Sequence, residues 1–324
     1  MKGPALILLA ALAGASPAQA QSYPTRTITL TVTAAAGGVT DVVARALGQR
    51  LSEAWGQQVV IENKGGAAHV VGAQSVAKAA PDGYSLLVAE AGTFVINPTL
   101  YGKGKLPYDE EKDFAPITGI VRINQALLGH PSVPAKNVSE LIALAKQKPG
   151  ELTYGTAGIG SAPHMNIVLF ESMAGVRLQP VHYRGAAPAL TDVIAGHVPI
   201  LFSDTVPSLP QIREGKVRAL GVSTAVRIPS APDIPPIAEV GVPGFDAAGW
   251  GVFSVPAGTP KEVVAKLKAA LDGVMALPEV QQQIIKLGMI PGGASSPEEL
   301  QRFISSEIAR WAKVVTQAGL AGTE

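Results

Sequence analysis

A glycine-rich turn between a strand pattern and a helix pattern is the feature that most constrains this chain. The alternating run Ile-Thr-Leu-Thr-Val over residues 28–32 predicts a strand, and an amphipathic pattern predicts a helix from Thr40 to Trp55. Gly37 and Gly38 lie between the two. The first N–H groups of a helix lack intrahelical acceptors and lie at the positive end of the helix dipole. The turn is therefore a candidate anion site that needs no basic side chain.

The same pattern occurs a second time. Residues 152–164, Leu-Thr-Tyr-Gly-Thr-Ala-Gly-Ile-Gly-Ser-Ala-Pro-His, again predict a strand, a glycine-rich loop and a helix start. Two such loops, one from each of two domains, are predicted to hold one carboxylate between them.

The N-terminus has the pattern of a secretory leader. Met1-Lys2 is followed by an apolar run over residues 5–13 and by Ala18-Gln19-Ala20, a small-x-small cleavage site. This predicts a signal peptide over residues 1–20, cleaved after Ala20, and a mature protein in the periplasm. The apolar run is too short to span a bilayer, for which about 20 apolar residues are needed. The chain has no cysteine, which excludes disulfides, thiol chemistry and a lipidated cysteine anchor.

Charge and length narrow the class of protein further. Without Lys2 the mature chain carries 25 basic and 25 acidic residues, so no basic excess points to a nucleic-acid partner. About 300 mature residues are long for one core and favour two domains. Strand and helix patterns alternate over residues 28–89 and 137–222, and a helical tail follows over 261–275, 278–287 and 296–317. The prediction is an α/β fold with two lobes, each a mixed, mostly parallel sheet flanked by helices.

Two chain crossings between the lobes are expected, because the strand-poor tail must pack back on the first unit. They are placed near residues 117–124 and 245–252 and would form a hinge. Lobe 1 is then residues 21–123 and 247–324, and lobe 2 is residues 124–246.

Several short motifs resemble one family. In chain order they are Pro81-Asp-Gly-Tyr-Ser-Leu-Leu87, Asn97-Pro98, Leu106-Pro-Tyr-Asp109, Lys112-Asp-Phe114, Tyr183-Arg-Gly185, Pro188-Ala-Leu190 and Ile308-Ala-Arg-Trp311. With the leader and the Ala-Gly-Gly-x-x-Asp turn, the chain resembles the Bug-family solute-binding receptors of the tripartite tricarboxylate transporter type, from Tyr23 almost to the C-terminus.

The resemblance implies a two-lobed periplasmic-binding-protein fold, type II-like, that closes on a small organic acid. Backbone groups and bridging waters would hold the acid, without a cofactor or a metal. A monomer is expected, which presents the acid to membrane transporter subunits. A receptor that docks on a membrane sensor kinase is the alternative, and the sequence does not separate the two.

The chain also departs from the family pattern. Thr33 and Ala34 stand where a proline and an aromatic residue are usual, His69 stands where glycine is common, and Glu90 is unusual in its loop. These departures leave the identity of the acid open between di- or tricarboxylates and polar aromatic acids.

The predicted ligand-binding residues lie at strand ends and in the loops that follow them. They are Ala36, Gly37, Gly38, Thr40, Asp41, Ala67, His69, Glu90, Thr93, Thr156, Gly158, Ser161, His164, Arg184 and Asp204.

Each of these residues also has a simpler interpretation. Asp41 suits the helix dipole, and Ser161 suits an N-cap. Arg184 binds either a second ligand carboxylate or a surface acid. Glu90 is either solvated or selective for a cationic group, and Trp250 is expected to pack at the hinge.

A hydrolase is the rival from another class, because Ser161, His164 and Asp204 supply the atom types of a catalytic triad. Ser161 and His164 lie one turn apart at a helix start, no Gly-x-Ser-x-Gly elbow is present, and no second group orients the histidine. The five histidines show no His-x-x-x-His or His-x-His pattern of a metal site. The sequence therefore predicts a binding protein and not an enzyme.

Overall fold

The structure is a computed structural model that describes residues 23–324 except 35, 38, 66–68, 103 and 293–294. The predicted signal peptide, Gly38 and Ala67 lie outside the described residues. At Val39 only the backbone is described.

The first part of the chain alternates strands and helices as its periodicity predicts. The elements are β1 (Ile28–Val32), α1 (Val39–Trp55), β2 (Val59–Asn63), α2 (Val70–Ala77) and β3 (Ser85–Glu90), followed by a π-helical turn (Gly92–Ile96) and α3 (Asn97–Tyr101). Strand β1 lies between β2 and β3 and is parallel to both. The turn before α1 therefore lies at the carboxyl edge of this sheet.

Two consecutive strands carry the chain from one sheet to the other. Strand β4 (Phe114–Ile123) belongs to the first sheet, and β5 (Gln125–Gly129) belongs to the second. Only Asn124 separates them, so the first crossing is as short as a strand connection permits. Neither strand was predicted, because Pro116 and Gly119 interrupt the apolar pattern.

The second sheet forms from the next part of the chain. Its elements are α4 (Val138–Gln147), β6 (Thr153–Thr156), α5 (Ala162–Ala174), β7 (Gln179–His182), α6 (Ala186–Ile194), β8 (Ile200–Asp204), α7 (Thr205–Arg213) and β9 (Arg218–Val222). The strand order is β7-β6-β8-β5-β9. Strand β6 is parallel to β7 and β8, so the loops after these three strands gather at one edge. Strand β5 is antiparallel to its neighbours β8 and β9.

The tail returns to the first sheet. Its elements are β10 (Gly249–Pro256), α8 (Lys261–Met275), α9 (Pro278–Lys286), β11 (Ile290–Pro291) and α10 (Pro297–Gln317). Strand β10 lies between β3 and β4 and is antiparallel to both, in the order β11-β4-β10-β3-β1-β2. The mixed α/β architecture is thus confirmed, and its antiparallel strands lie where the chain crosses between sheets.

Apolar helix faces hold the tail in place. Leu47 and Leu51 of α1 and Leu267 and Leu271 of α8 are completely buried in one cluster with strand β1. Truncation of such a leucine to alanine costs about 2 to 5 kcal/mol of stability. Helix α8 is therefore part of the first unit's core, although it follows β3 by about 170 residues of sequence.

Gly288 joins the tail to the second sheet. Its carbonyl oxygen accepts hydrogen bonds from Asn124 Nδ2 at 2.7 Å and from Thr205 Oγ1 at 3.0 Å. Its φ is +74°, and a Cβ atom at this position would lie 2.6 Å from Thr205 Oγ1. Glycine is required here both for the backbone conformation and for the close approach.

Replacement of Gly288 by alanine should destabilise the protein more than the same change at Gly215. Both glycines follow a helix and have positive φ, +74° and +70°, but nothing lies within 4 Å of a Cβ at Gly215. The left-handed conformation costs about 1 kcal/mol in each variant, and the contact with Thr205 adds about 1 to 3 kcal/mol only in Gly288→Ala. Urea unfolding of the two variants measures the difference. Equal losses of unfolding free energy in the two variants would show that the contact between position 288 and Thr205 adjusts without cost.

Candidate functional site

Asp41 holds the first glycine-rich turn together. Its carboxylate is 2 % exposed and accepts hydrogen bonds from the Gly37 N–H at 2.8 Å, Arg45 Nε at 3.0 Å and Asn63 Nδ2 at 2.9 Å. Burial acts to raise the pKa of Asp41, but these three donors and the charge of Arg45 outweigh it and hold the pKa below its usual value. The acceptors of Asp41 are thus used within the protein, and so is the N–H of Gly37.

Thr40 and Glu90 are brought together at the end of strand β3. The Thr40 hydroxyl donates to Glu90 Oε1. Thr40 is buried in the first turn of α1, and Glu90 is half-buried. Two predicted site residues from different elements therefore share one hydrogen bond at the carboxyl edge of the first sheet.

His69 lies beside the same strand end. Its Nδ1 is 2.7 Å from the Thr33 carbonyl oxygen, and its backbone adopts a φ of 77°. A Cβ atom built on Gly92 would lie 3.8 Å from His69 Nε2. The imidazole ring therefore lies next to the backbone two residues after Glu90. Thr93 is fully buried, and its hydroxyl has no hydrogen-bond partner among the described residues. Ala36 is exposed in the turn.

The second glycine-rich loop repeats the construction of the first. The N–H of Gly160 donates to His164 Nδ1 at 3.1 Å, four residues further along, as Gly37 does to Asp41. The N–H of Gly158 donates to Thr156 Oγ1 at 3.0 Å. Side-chain acceptors of the protein thus satisfy donors in both loops.

Ser161 occupies the N-cap position of α5, but it does not cap the helix. Its hydroxyl donates to the Gly158 carbonyl at 2.6 Å and accepts no helix N–H. The prediction of a side-chain N-cap is therefore wrong, because the tight loop offers the hydroxyl a nearer carbonyl partner.

His164 is a buried, neutral histidine. The side chain is 4 % exposed and its ring meets that of His182 edge to face at 5.1 Å. Burial, with a smaller contribution from His182, lowers the pKa of His164 to about 4. A hydrolase would need this imidazole to accept a proton from Ser161, whereas Nδ1 is occupied by the Gly160 N–H.

Asp204 ends a buried polar chain in the second sheet. Asn166 Nδ2 donates to Gln125 Oε1 at 2.8 Å, and Gln125 Nε2 donates to Asp204 Oδ1 at 2.9 Å. Burial raises the pKa of Asp204, the Gln125 bond opposes this rise, and the charge of Glu90 adds to it. The charge of Glu90 therefore influences the protonation of Asp204, although the two residues belong to different sheets.

Two arginines and one tryptophan, Arg184, Arg122 and Trp250, lie in different surroundings. Arg184 is exposed in the loop after β7 and has no ion pair within the described part of the chain. Arg122 donates to both oxygens of Asp246 at 2.9 and 2.8 Å. Trp250 stacks on Phe94 with centroids 6.2 Å apart, as expected of a packing residue.

The second glycine-rich loop contacts the first unit of the chain. A Cβ atom at Gly160 would lie 2.7 Å from Leu100 Cδ2 of α3, so the second loop packs directly against an element that follows β3. Each loop lies at the carboxyl edge of its own sheet, where open α/β folds arrange their ligand sites.

Sequence reasoning missed three residues of this region. His182 Nδ1 lies 2.9 Å from Thr156 Oγ1. Gln125 donates a hydrogen bond to Asp204, and Asn166 donates one to Gln125. His182 ends β7 directly before the Tyr-Arg-Gly motif, and its position next to this motif was a usable signal. Gln125 and Asn166 carried no signal, because a strand at the crossing was not predicted and Asn166 lies within a helix.

The described residues include neither a metal-binding cluster nor a membrane-spanning helix. Within residues 23–324 as described, no group of three or more His, Asp or Glu side chains is placed to hold a metal ion. No helix of the described chain is long and apolar enough to cross a bilayer.

Comparison with known proteins assigns the family. The family model described as the tripartite tricarboxylate transporter family receptor matches residues 43–320. The chain belongs to this receptor family. It is a periplasmic solute-binding receptor of the Bug type and not an enzyme, with the fold of periplasmic binding proteins.

Similar proteins cover nearly the whole receptor. Protein BugT of Bordetella pertussis is 32 % identical over 316 residues, 97 % of this chain and 95 % of BugT. An R. palustris protein solved with adipate is 38 % identical with a TM-score of 0.80, over 92 % of this chain and 99 % of that one. MatC from Rhodopseudomonas palustris, solved with bound malate, is 34 % identical with a TM-score of 0.77, over 90 % and 100 %.

The neutrality of His164 predicts a pH-dependent stability. Its pKa is 6.5 in an ordinary environment and about 4 in the folded protein, so between these values the unfolded chain binds more protons. The unfolding free energy should fall by about 3 kcal/mol as the pH drops from about 6.5 to about 4. Urea titrations of wild type and His164→Asn measure this component, which the variant should lack.

The exposed His197 supplies the control for this measurement, because its side chain is 70 % exposed. The variant His197→Asn should keep most of the wild-type pH dependence. An unchanged slope in His164→Asn would mean that other groups cause the dependence.

Proposed function

We propose that this receptor closes on a small organic acid and delivers it to a membrane transporter of the tripartite tricarboxylate type. The observation that carries the proposal is the pair of glycine-rich turns, each at a helix start and each at the carboxyl edge of a different sheet. The N–H groups of Gly37, Gly158 and Gly160 already donate to side chains of the protein, so a carboxylate would be held by other N–H groups at the two helix starts. Relatives solved with adipate and malate support the same ligand class.

The remaining predicted residues would meet the rest of the ligand. Thr40, Glu90 and His69 lie at one sheet edge, and Thr156, Ser161, His164 and Asp204 lie at the other. Arg184 has no ion pair among the described residues and would bind a second carboxylate of the ligand.

Closure would occur between lobes formed by residues 21–123 with 247–324 and by residues 124–246. The ion pair of Arg122 with Asp246 joins the two crossings, because Arg122 is near the end of β4 and Asp246 precedes β10. The Asp246 carbonyl also accepts from Arg310 of α10. These contacts would keep the hinge strands together while the lobes move.

Saturation with a bound acid should make the protein more compact. Ligand contacts from both lobes favour the closed state, so the radius of gyration in solution scattering should decrease. The measurement compares the protein alone with the protein at about 100 times the dissociation constant of the acid. Identical profiles would contradict closure.

A dicarboxylate should bind more tightly than the matched monocarboxylate, and Arg184 should account for part of the difference. Calorimetry with adipate and hexanoate tests this directly. Loss of one charge-assisted hydrogen bond in Arg184→Ala should narrow the gap by about 1.5 to 3 kcal/mol.

Arg213 is a matched control for this experiment, since it is also exposed in the second part of the chain at the end of α7. The variant Arg213→Ala should retain the full preference. Equal affinities of wild type for adipate and hexanoate would show that Arg184 faces away from the ligand.

A further inference from the structure

A groove lies between helices α1 and α9 of the first unit. Its volume is about 390 Å³, and pockets that bind ligands begin at about 300 Å³. Val42 and Ala46 of α1 and Val280 of α9 are buried or half-buried and form its apolar floor. None of the lining residues is among the predicted ligand-binding residues. The groove is therefore a space separate from the glycine-rich loops.

The rim of the groove suits an acidic group. Among the described residues that line it, Arg45 and Arg50 are cations and Glu279 is the acid. Arg50 Nη1 lies 2.9 Å from Glu53 and its Nη2 lies 3.7 Å from Glu279, and both glutamates are more than half exposed. Exposed ion pairs of this kind contribute little to stability, so an incoming carboxylate readily replaces them.

Arg45 connects the groove with the first glycine-rich turn. Its side chain is 52 % exposed, yet Nε and Nη2 each lie 3.0 Å from the buried Asp41 carboxylate. Nη2 also donates to Asn63 Oδ1 at 2.9 Å. No acceptor for Nη1 is found within the described part of the chain. One part of the guanidinium thus holds Asp41, and another part is free for a second carboxylate.

Asp41 and Asn63 fix the backbone of this turn. Asp41 accepts the Gly37 N–H at 2.8 Å, and Asn63 Nδ2 donates to Asp41 Oδ1 at 2.9 Å and to the Ala34 carbonyl oxygen at 3.2 Å. A second carboxylate on Arg45 would share the positive charge that compensates Asp41. Because a buried carboxylate with less compensation is costly, the turn would lose part of its support.

We propose that the groove is a docking site for an acidic segment of the membrane transporter, and that docking weakens the binding of the organic acid through Arg45. An apolar floor beneath a cationic rim suits a protein segment with both acidic and apolar side chains, whereas a free inorganic anion would use the rim alone. This inference rests on the proposed function and adds to it a place of docking and a cause of release.

Fluorescence anisotropy with a labelled peptide tests the docking site. The probe is the hexapeptide Glu-Leu-Glu-Glu-Leu-Glu. Arg50→Gln should weaken its binding about tenfold, the loss expected for one charge-assisted hydrogen bond. Replacement of both leucines of the peptide by alanine should also weaken binding, because the apolar floor is then left without a partner.

Arg227→Gln is the matched control. Arg227 lies in the second part of the chain, is about as exposed as Arg50, and pairs with Glu239 at 2.7 Å. This variant should bind the peptide as tightly as the wild type does.

Calorimetry with adipate tests the coupling. Saturating peptide should lower the affinity of the wild type for adipate about fivefold or more, and saturating adipate should lower the affinity for the peptide by the same factor. Arg45→Gln should bind adipate more weakly even without the peptide, and Arg45→Lys, which keeps a cation beside Asp41, should recover most of the affinity. Arg50→Gln should keep the wild-type affinity for adipate, since Arg50 pairs with Glu53 and Glu279 and not with Asp41.

The outcomes separate this inference from the proposed function. Absence of peptide binding to the wild type, or the same loss in Arg227→Gln as in Arg50→Gln, would overturn the docking site. Binding of peptide and adipate together without mutual effect would overturn the coupling and leave a carboxylate receptor intact. Failure of both adipate and malate to bind, with the peptide still bound, would instead contradict the proposed function.

Discussion

Both glycine-rich turns contain a hydrogen bond from a backbone N–H to the side chain four residues further along. Gly37 uses the Asp41 carboxylate and Gly160 uses the His164 imidazole. A loop N–H without an acceptor would cost free energy in any partly buried site. Because the same hydrogen bond occurs in both sheets, the two loops have a similar construction.

The choice of acceptor differs between the turns, and charge explains the difference. Asp41 is ionised, and the cation of Arg45, 3.0 Å away, compensates its charge. His164 is neutral because burial lowers its pKa. With Glu90 and Asp204 already near the cleft, a third uncompensated carboxylate would repel an organic acid. A neutral acceptor in the second loop avoids this repulsion.

Local pattern was enough to predict most elements and both turns. The helix predicted over residues 261–275 has the bounds of α8, and the strand predicted over residues 28–32 has those of β1. Strands β4 and β5 were not predicted from local pattern, since Pro116 and Gly119 interrupt the apolar pattern that leads to the crossing. The sequence indicated Asp41 and His164 as candidate site residues, but it did not indicate their partners Asn63 and Gly160.

The position of strand β10 has a consequence for how the chain acquires its fold during synthesis. Residues 249–256 fill the place between β3 and β4, in the middle of the first sheet. The second sheet needs only residues 125–222 and is complete much earlier. A chain that emerges N-terminus first must therefore hold β1 to β3 without their central neighbour until the last quarter of the sequence appears, with apolar strand edges open to aggregation. The first sheet, whose strands are synthesised first, is therefore completed last.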